Sequence, residues 1–478
     1  MIMLENLNPK ELFSYFEAIC AIPHGSGNTK EISDWIVDFA NKRNLEYYQD
    51  DTNNVIVIKQ ATPGYEDASP VILQGHIDMV CEKDASCTKD MTKEGIDLVL
   101  DGDILSADGT TLGGDNGIAV SMMLAILDSN TLQHPRVEAV FTVDEEIGLL
   151  GAASVDVSPL KGKTMINIDS EDEGAFTVSC AGGNVTEVTI PVEYEEFTGD
   201  ACIVKISGLI GGHSGIMIDK GRGNANSILG RVLYKIASGL DVRIISVKGG
   251  LKDNAIPVEA EAKVIVTDPD KLNSICEDID AELKNELAVI DNGVTVTCEK
   301  IQYTIPMNEE STKRIITLLC CAPHGVISMS PDIEGLVQTS LNLGVVKTEK
   351  NCVIADFSVR SSIESQKKML SEKIECLAKS LGGTTKVSGD YPGWQYAQVS
   401  PLRDLFIQVF TEQYGYEPKV EAIHAGLECG LFAGKIPGLD CVSIGPDQRE
   451  IHTPRENVSV SSVERVWNMV IETLKRIK

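Results

Sequence analysis

The spacing of apolar positions changes character twice along the chain. Over the first third, short apolar runs alternate with amphipathic stretches. Strands are expected over 55–58, 71–74, 137–143 and 165–168, where the runs are short and rich in β-branched residues. Helices are expected over 32–42 and 118–127. Asn8-Pro9-Lys10-Glu11 reads as a helix start, with Asn as cap and Pro in the first turn, and Asn28 with Glu31 repeats the capping-box spacing. Such alternation predicts a sheet with helices on its faces. Past about residue 183 the period shortens to two, over 188–192 and partly over 202–207, as in antiparallel strands with one solvated face. More strands are expected at 242–247, 258–266, 294–301 and 352–359, and helices at 224–238 and 271–286. The first texture then resumes with a helix over 402–414, a buried strand over 441–444, and a final helix over 463–477 opened by Ser461 and Glu464. The expected fold is α/β. One domain, with a largely parallel sheet flanked by helices, spans 1–184 and 393–478. An α+β domain, 185–392, is inserted in it.

Composition narrows the function. The 478 residues are 43% hydrophobic and 24% charged, as in ordinary globular proteins, and too many for one core. A formal net charge of −29 argues against nucleic acid and anionic membrane as partners, because both need Lys and Arg to neutralise phosphate. No run reaches the ~18 apolar residues of a membrane span. Glu5, Lys10 and Glu11 interrupt what would be the apolar core of a secretory signal. The 13 cysteines, an odd number without a C-x-x-C pair, fit reduced thiols and a cytoplasmic location. His134, just before Pro135, is expected at the surface.

Three apolar runs end in groups that bind cations or protons. The run at 71–74 leads into His76 and Asp78, which share a face in extended chain. Asp78 is placed to hold the second ring nitrogen of His76, as a metal-bound imidazole requires. The run at 137–143 ends in Asp144-Glu145-Glu146, and the run at 165–168 in Asp169. The Gly-rich turn 108–117 (DGTTLGGDNG) places Asp115 near a helix N-terminus. It lacks the lysine and spacing of a phosphate loop, which rejects nucleotide binding. In a parallel sheet these strand ends converge, and carboxylates gathered there resist ionising together unless a cation sits among them.

The ordered set His76-Ile77-Asp78, Gly113-Gly114-Asp115-Asn116-Gly117, Asp144-Glu145-Glu146, Asp169 and a late His452 resembles the co-catalytic zinc metallopeptidases, the superfamily of carnosinases, aminoacylases and dipeptidases. The stretches 74–80 (QGHIDMV) and 424–430 (HAGLECG) resemble its bacterial aminoacyl-histidine dipeptidase branch, over essentially the whole chain. The resemblance implies two zinc ions, with cobalt or manganese as possible substitutes. His76 and Asp169 would hold one, Glu146 and His452 the other, and Asp115 would bridge them. Asp78 would orient His76. Glu145 would be the general base, taking a proton from the attacking water and passing it to the leaving amine.

The resemblance also makes the inserted domain a lid and dimerisation surface. His213, in Gly211-Gly212-His213-Ser214-Gly215, would stabilise the tetrahedral oxyanion, across a dimer or after closure. Arg360 would hold the substrate carboxylate, a task that suits a permanently charged guanidinium. Asn254 is a weaker candidate of that kind. The loop 426–430, through Gly426 and Glu428, is a candidate for the substrate's free terminus, although a solvated helix-cap loop is the plainer reading. The implied protein is a homodimeric cytoplasmic enzyme that hydrolyses small peptides, Xaa-His dipeptides foremost. The alternatives are an amidohydrolase or aminopeptidase of the same superfamily, acting on N-acyl amino acids or longer peptides, and a metal-free binding protein on the same fold.

Overall fold

A computed structural model of the chain describes residues 4 and 6–478. Glu5, used above against a secretory signal, and the expected domain start at residue 1 lie outside the described residues. The chain divides into two compact units. The first takes the chain up to Ser179, with Tyr396–Ala422 and Leu427–Lys478. The second takes Cys180–Gln395 and Ile423–Gly426, so a short piece expected in the resumed first domain belongs with the insertion.

The first unit is built on an eight-stranded sheet in the order Glu46–Gln49, Val55–Lys59, Val137–Thr142, Val71–His76, Thr164–Asn167, Asp440–Ser443, Ala175–Cys180 and Lys419–Ile423. The four strands from Val137–Thr142 to Asp440–Ser443 pair in parallel with their neighbours, and antiparallel pairs flank them. These central strands are short runs buried on both faces, the usual reading of a covered parallel sheet. The helix Gly114–Asp128 is apolar almost all round and correspondingly buried all round. It packs against the helix Lys10–Cys20 and the strand Val71–His76. Gly75 is required at that contact, since a Cβ there would come within 2.4 Å of Asn116 Oδ1. At the other end of the sheet, Phe176 packs edge-on to Phe406 and Phe410 of the helix Pro401–Tyr414.

The second unit is a nine-stranded sheet whose strand pairs are antiparallel. Its path runs Thr295–Lys300, Asp200–Ser207, Ala260–Val266, Val242–Gly249, Val337–Thr348, Cys352–Ser361, Gly182–Pro191 and Thr384–Tyr391, with Gly325–Met329 alongside Val337–Thr348. Alternate strand residues such as Val204, Ile206, Ala262 and Val264 share one core with Leu229, Ile279, Ile315 and Leu370 of four helices. The period-two signal therefore marked a sheet covered on one face.

Local signals were less exact than periodicity. Asn8 and Asn28 do not cap: the first two helices start after Pro9 and Thr29, and neither has a side-chain cap. Asn28 instead donates to the Thr92 carbonyl. The last helix is Val460–Arg476, capped by Ser459 rather than opened at Ser461. The helices Glu309–Cys321 and Glu364–Ser380 and the strand Val337–Thr348 were not expected; that strand carries buried Thr339, Ser340 and Asn342, which hide its apolar period. His134 is fully buried, with Nδ1 on the Pro135 carbonyl, rather than at the surface. Among the described residues no helix is long and apolar enough to cross a membrane.

Removing the Phe176 ring should leave a cavity beneath the helix Pro401–Tyr414. Phe176→Ala is expected to destabilise the first unit by about 3–5 kcal/mol, read as an earlier transition in denaturant unfolding.

Candidate metal centre

Three adjacent parallel strands deliver the cluster. His76 is the last residue of Val71–His76, Glu145 and Glu146 follow Val137–Thr142, and Asp169 follows Thr164–Asn167. Register pairs His76 with Thr142 and Gln74 with Asn167, so the three strands end level. Asp115 enters in the first turn of Gly114–Asp128, where its backbone departs from helical geometry, and His452 from the loop of the hairpin 448–459.

Asp115 stands between the two imidazoles. Its Oδ1 lies 3.2 Å from His76 Nε2 and its Oδ2 3.2 Å from His452 Nε2. His76 Nε2 is also 3.4 Å from Asp169 Oδ1, and His452 Nε2 is 2.9 Å from Glu146 Oε1. Donor atoms of His76, Asp115 and Glu146 lie within 4.8 Å of one another, and those three form a candidate metal site.

Asp78 organises this group from behind. The Nδ1 of His76 lies 3.0 Å from the Asp78 carbonyl and 3.4 Å from its carboxylate. The same carboxylate accepts from Ser26 Oγ at 2.8 Å and from the main-chain N–H of Glu145 at 3.1 Å and Glu146 at 3.4 Å. It therefore orients an imidazole and the turn bearing two acids. With Nδ1 donating, the Nε2 lone pair of a neutral His76 faces two carboxylate oxygens, which is repulsive unless a proton or a metal ion lies between.

The titration behaviour expresses that need. Burial opposes charging of His76, yet hydrogen bonds to Asp115 and Asp169 hold its pKa well above the usual value. Hydrogen bonds to Asp115 and Glu146 raise His452 to about 10. Asp115 is held below the usual range by both imidazoles despite its burial. Burial raises Asp169 to about 6. Glu145 rises to about 9, by burial first and then by the charges of Asp169, Glu428 and Glu146 against the opposing pull of His76. Two imidazoles and three carboxylates suit zinc or a similar dication, and the protons held here occupy the places of positive charge.

Glu428 is not on a solvated loop. It begins the helix Glu428–Lys435 fully buried, with its carboxylate accepting from Thr142 Oγ1 at 2.9 Å and from Gln74 Nε2. Burial raises its pKa to about 7. Glu456, in the stretch just after His452, went unnoticed in the sequence. Its carboxylate accepts the main-chain N–H of Leu112, Gly113, Gly114 and Asp115 at 2.8–3.2 Å. No periodicity or spacing marks such a long-range contact.

The second unit holds the other expected residues. His213 Nδ1 accepts from the main-chain N–H of Gly215 at 3.1 Å and of Ile216 at 3.3 Å, which leaves Nε2 as the protonated, donating nitrogen. Burial and the nearby Arg360 lower its pKa, so the ring is neutral. Asp291, fully buried, accepts from the N–H of Ile210 and Gly223 at 2.6 Å each, closing the loop that carries His213. Asn254 acts through its main chain, its carbonyl accepting from Ser214 N–H at 2.9 Å. Arg360 is 8% exposed and donates to Tyr391 Oη at 3.2 Å; no carboxylate pairs with it among the described residues. Gly426 packs against the Tyr391 ring.

Metal uptake at this cluster should release protons. At pH 7 the imidazole of His452 and the carboxyl of Glu145 carry protons in the metal-free protein. A dication needs the His452 lone pair, so its binding expels a proton. Apparent zinc affinity is expected to climb between pH 6 and 9 by about tenfold per pH unit for each proton displaced. Chelator competition at several pH values measures this, and a flat profile would contradict the assignment.

Comparison with known proteins places the geometry in context. A cytosol non-specific dipeptidase of Escherichia coli (strain K12) is 37% identical over 487 residues, covering 100% of this chain and 99% of that protein. The crystal structure of an aminoacylhistidine dipeptidase from Vibrio alginolyticus matches with a TM-score of 0.94 at 36% identity, over 99% of this chain and 98% of that one. An aminopeptidase from Bacillus cereus shares the fold, with a TM-score of 0.56 at 17% identity over 98% of this chain and 99% of that one. The model of peptidase family M20/M25/M40 matches residues 72–476, the span that carries the acidic strand ends and both imidazoles, and the chain belongs to that family.

Proposed function

We propose that this peptidase is a dizinc dipeptidase that cleaves unblocked dipeptides, Xaa-His among them, in the cytoplasm and as a homodimer. The observation that supports it best is Asp115 set between His76 and His452, with Asp169 and Glu146 as their second carboxylates. His76 and Asp169 would hold one ion, Glu146 and His452 the other, with Asp115 shared. Cobalt or manganese would substitute. When bound, such ions acidify water and polarise a carbonyl.

The chain's own groups supply the rest. Glu145, beside the ligand Glu146 and with its main-chain N–H held by Asp78, would be ionised once the ions replace the protons of the cluster, and it then takes a proton from the attacking water. It then returns that proton to the leaving nitrogen. Asp78 keeps His76 in the tautomer that presents Nε2 and fixes the main chain of Glu145. His213 donates Nε2–H to the carbonyl oxygen as negative charge develops there. Arg360, a buried cation without a carboxylate partner among the described residues, takes the substrate's terminal carboxylate. Asn254 holds the His213 loop through its main chain. Glu428 and Gly426 belong to the stretch assigned to the substrate's free terminus. The E. coli relative is a non-specific dipeptidase and the Vibrio relative an aminoacylhistidine dipeptidase, which favours a dipeptide with or without histidine.

Alanyl-histidine, β-alanyl-histidine, alanyl-alanine and N-acetyl-histidine, offered with zinc, separate the readings. The free dipeptides are expected to be cleaved and the acetylated compound spared; cleavage of the acetylated compound alone would make the protein a deacylase. Glu145→Gln should lower kcat by roughly 10²–10⁴-fold with metal content unchanged. Arg360→Ala should raise KM for dipeptides roughly ten- to a hundredfold, with no such effect on a dipeptide amide.

A further inference from the structure

Glu456 lies four residues past His452 and has no role in the chemistry described above. The residue is 3% exposed, and no arginine or lysine pairs with its carboxylate among the described residues. Instead its four contacts are main-chain N–H groups of one loop. Oε2 accepts from Leu112 at 2.8 Å and Gly113 at 3.1 Å; Oε1 accepts from Gly114 at 2.8 Å and Asp115 at 3.2 Å. These are the orphan donors at the start of the helix Gly114–Asp128, where a carboxylate is favoured by charge and by the aligned amides. The loop is shaped for it. Gly113 has φ 68°, and a Cβ on Gly114 would stand 2.6 Å from Gln448 Oε1 and 3.4 Å from Glu456 Oε1.

Glu456 also closes the hairpin loop that carries His452. Its N–H donates to the Thr453 carbonyl at 3.0 Å, and the next residues, Asn457–Ser459, pair with Ile104–Ala107 and Gln448–Arg449. One side chain therefore ties the loop of His452 to the main chain of Asp115, residues 337 positions apart. We propose that Glu456 is a positioning residue that sets the place of the Asp115 carboxylate relative to His452, and so the spacing of the two metal sites. The proposal rests on the reading of Asp115 as the bridging ligand. Asn116 holds the same loop from its other side, donating to the Ile168 carbonyl next to Asp169 at 2.6 Å. The backbone at Asp115 is thus held by Glu456 on one side and by the side chain of Asn116 on the other, while its own carboxylate faces the two imidazoles.

The test compares wild type, Glu456→Gln, Glu456→Asp and Glu138→Gln. Glutamine keeps the shape but turns an NH₂ group toward two N–H donors. Aspartate keeps the charge and falls short by a methylene. Glu138 is the control: a fully buried carboxylate that also accepts main-chain N–H groups, from Lys161 and Gly162, and pairs besides with Arg136 rather than with the cluster. Each protein is stripped of metal, checked for folding by thermal unfolding, and titrated with zinc against a chelator; kcat and KM on alanyl-histidine follow in excess zinc. Glu456→Gln is expected to lose ~10–100-fold in affinity for at least one ion and a similar factor in kcat, with KM nearly unchanged. Glu456→Asp should fall between it and wild type. Glu138→Gln should lower the unfolding temperature while leaving zinc affinity and kcat as in wild type. Wild-type zinc affinity and kcat in folded Glu456→Gln, or in Glu456→Asp should the glutamine variant not fold, would overturn the proposal. Equal losses in Glu138→Gln would also overturn it, because Glu456 would then act only through stability. A wild-type protein that binds no zinc would instead overturn the metal reading on which the proposal rests.

Discussion

Carboxylates crowded at the ends of three parallel strands must be balanced by positive charge, and the rest of the first unit follows from that constraint. Asp115, Glu146, Asp169 and Glu145 are mostly shielded from water, where mutual repulsion is weakly screened. Among the described residues two imidazoles stand within reach, and hydrogen bonds to these carboxylates raise the pKa of both. Dications would satisfy the need for positive charge more fully than protons, and would supply Lewis acidity for amide hydrolysis. Burial, and then the same crowding, raise the pKa of Glu145 to about 9.

Such a cluster holds its shape only if the segments that carry it are held by something other than the cluster itself. The protein uses one device repeatedly: a buried carboxylate that accepts main-chain N–H groups. Asp78 holds the turn of Glu145 and Glu146, and Glu456 holds the loop of Asp115. In the second unit, Asp291 closes the loop of His213 in the same way. A charged acceptor on main-chain donors is stronger than a neutral one and sets backbone position directly. His213 and Arg360 of the second unit depend on similar local fixing. Two backbone donors on Nδ1 decide the tautomer of His213, and a strand position buries Arg360 away from any carboxylate among the described residues.

Periodicity made the main architecture legible. Continuous apolar runs marked the covered strands that end in His76, Glu145 and Asp169. Period-two alternation marked the second sheet, because a side chain's face is decided by its own place in a strand. Signals that depend on competition were read less well. Asn8, Asn28 and Ser461 have the composition of caps, but the backbone enters each helix elsewhere, and chain direction before a helix is not a local property. The parallel character of the first sheet was overextended for the same reason: strand direction at the flanks is decided by connections.

By itself, the sequence determined which residue types stand at the strand ends, and so the chemistry available there: two imidazoles and an excess of carboxylates, in an order that matches one superfamily. That followed because residue identity and strand period are local. Only the tertiary structure decided which oxygen of Asp115 meets which imidazole, that Glu428 is buried beneath the strand ends, and that Glu456 reaches back to the Asp115 loop. Those relations join residues hundreds of positions apart, and they arise from packing and the pairing of buried polar groups, which no spacing along the chain encodes.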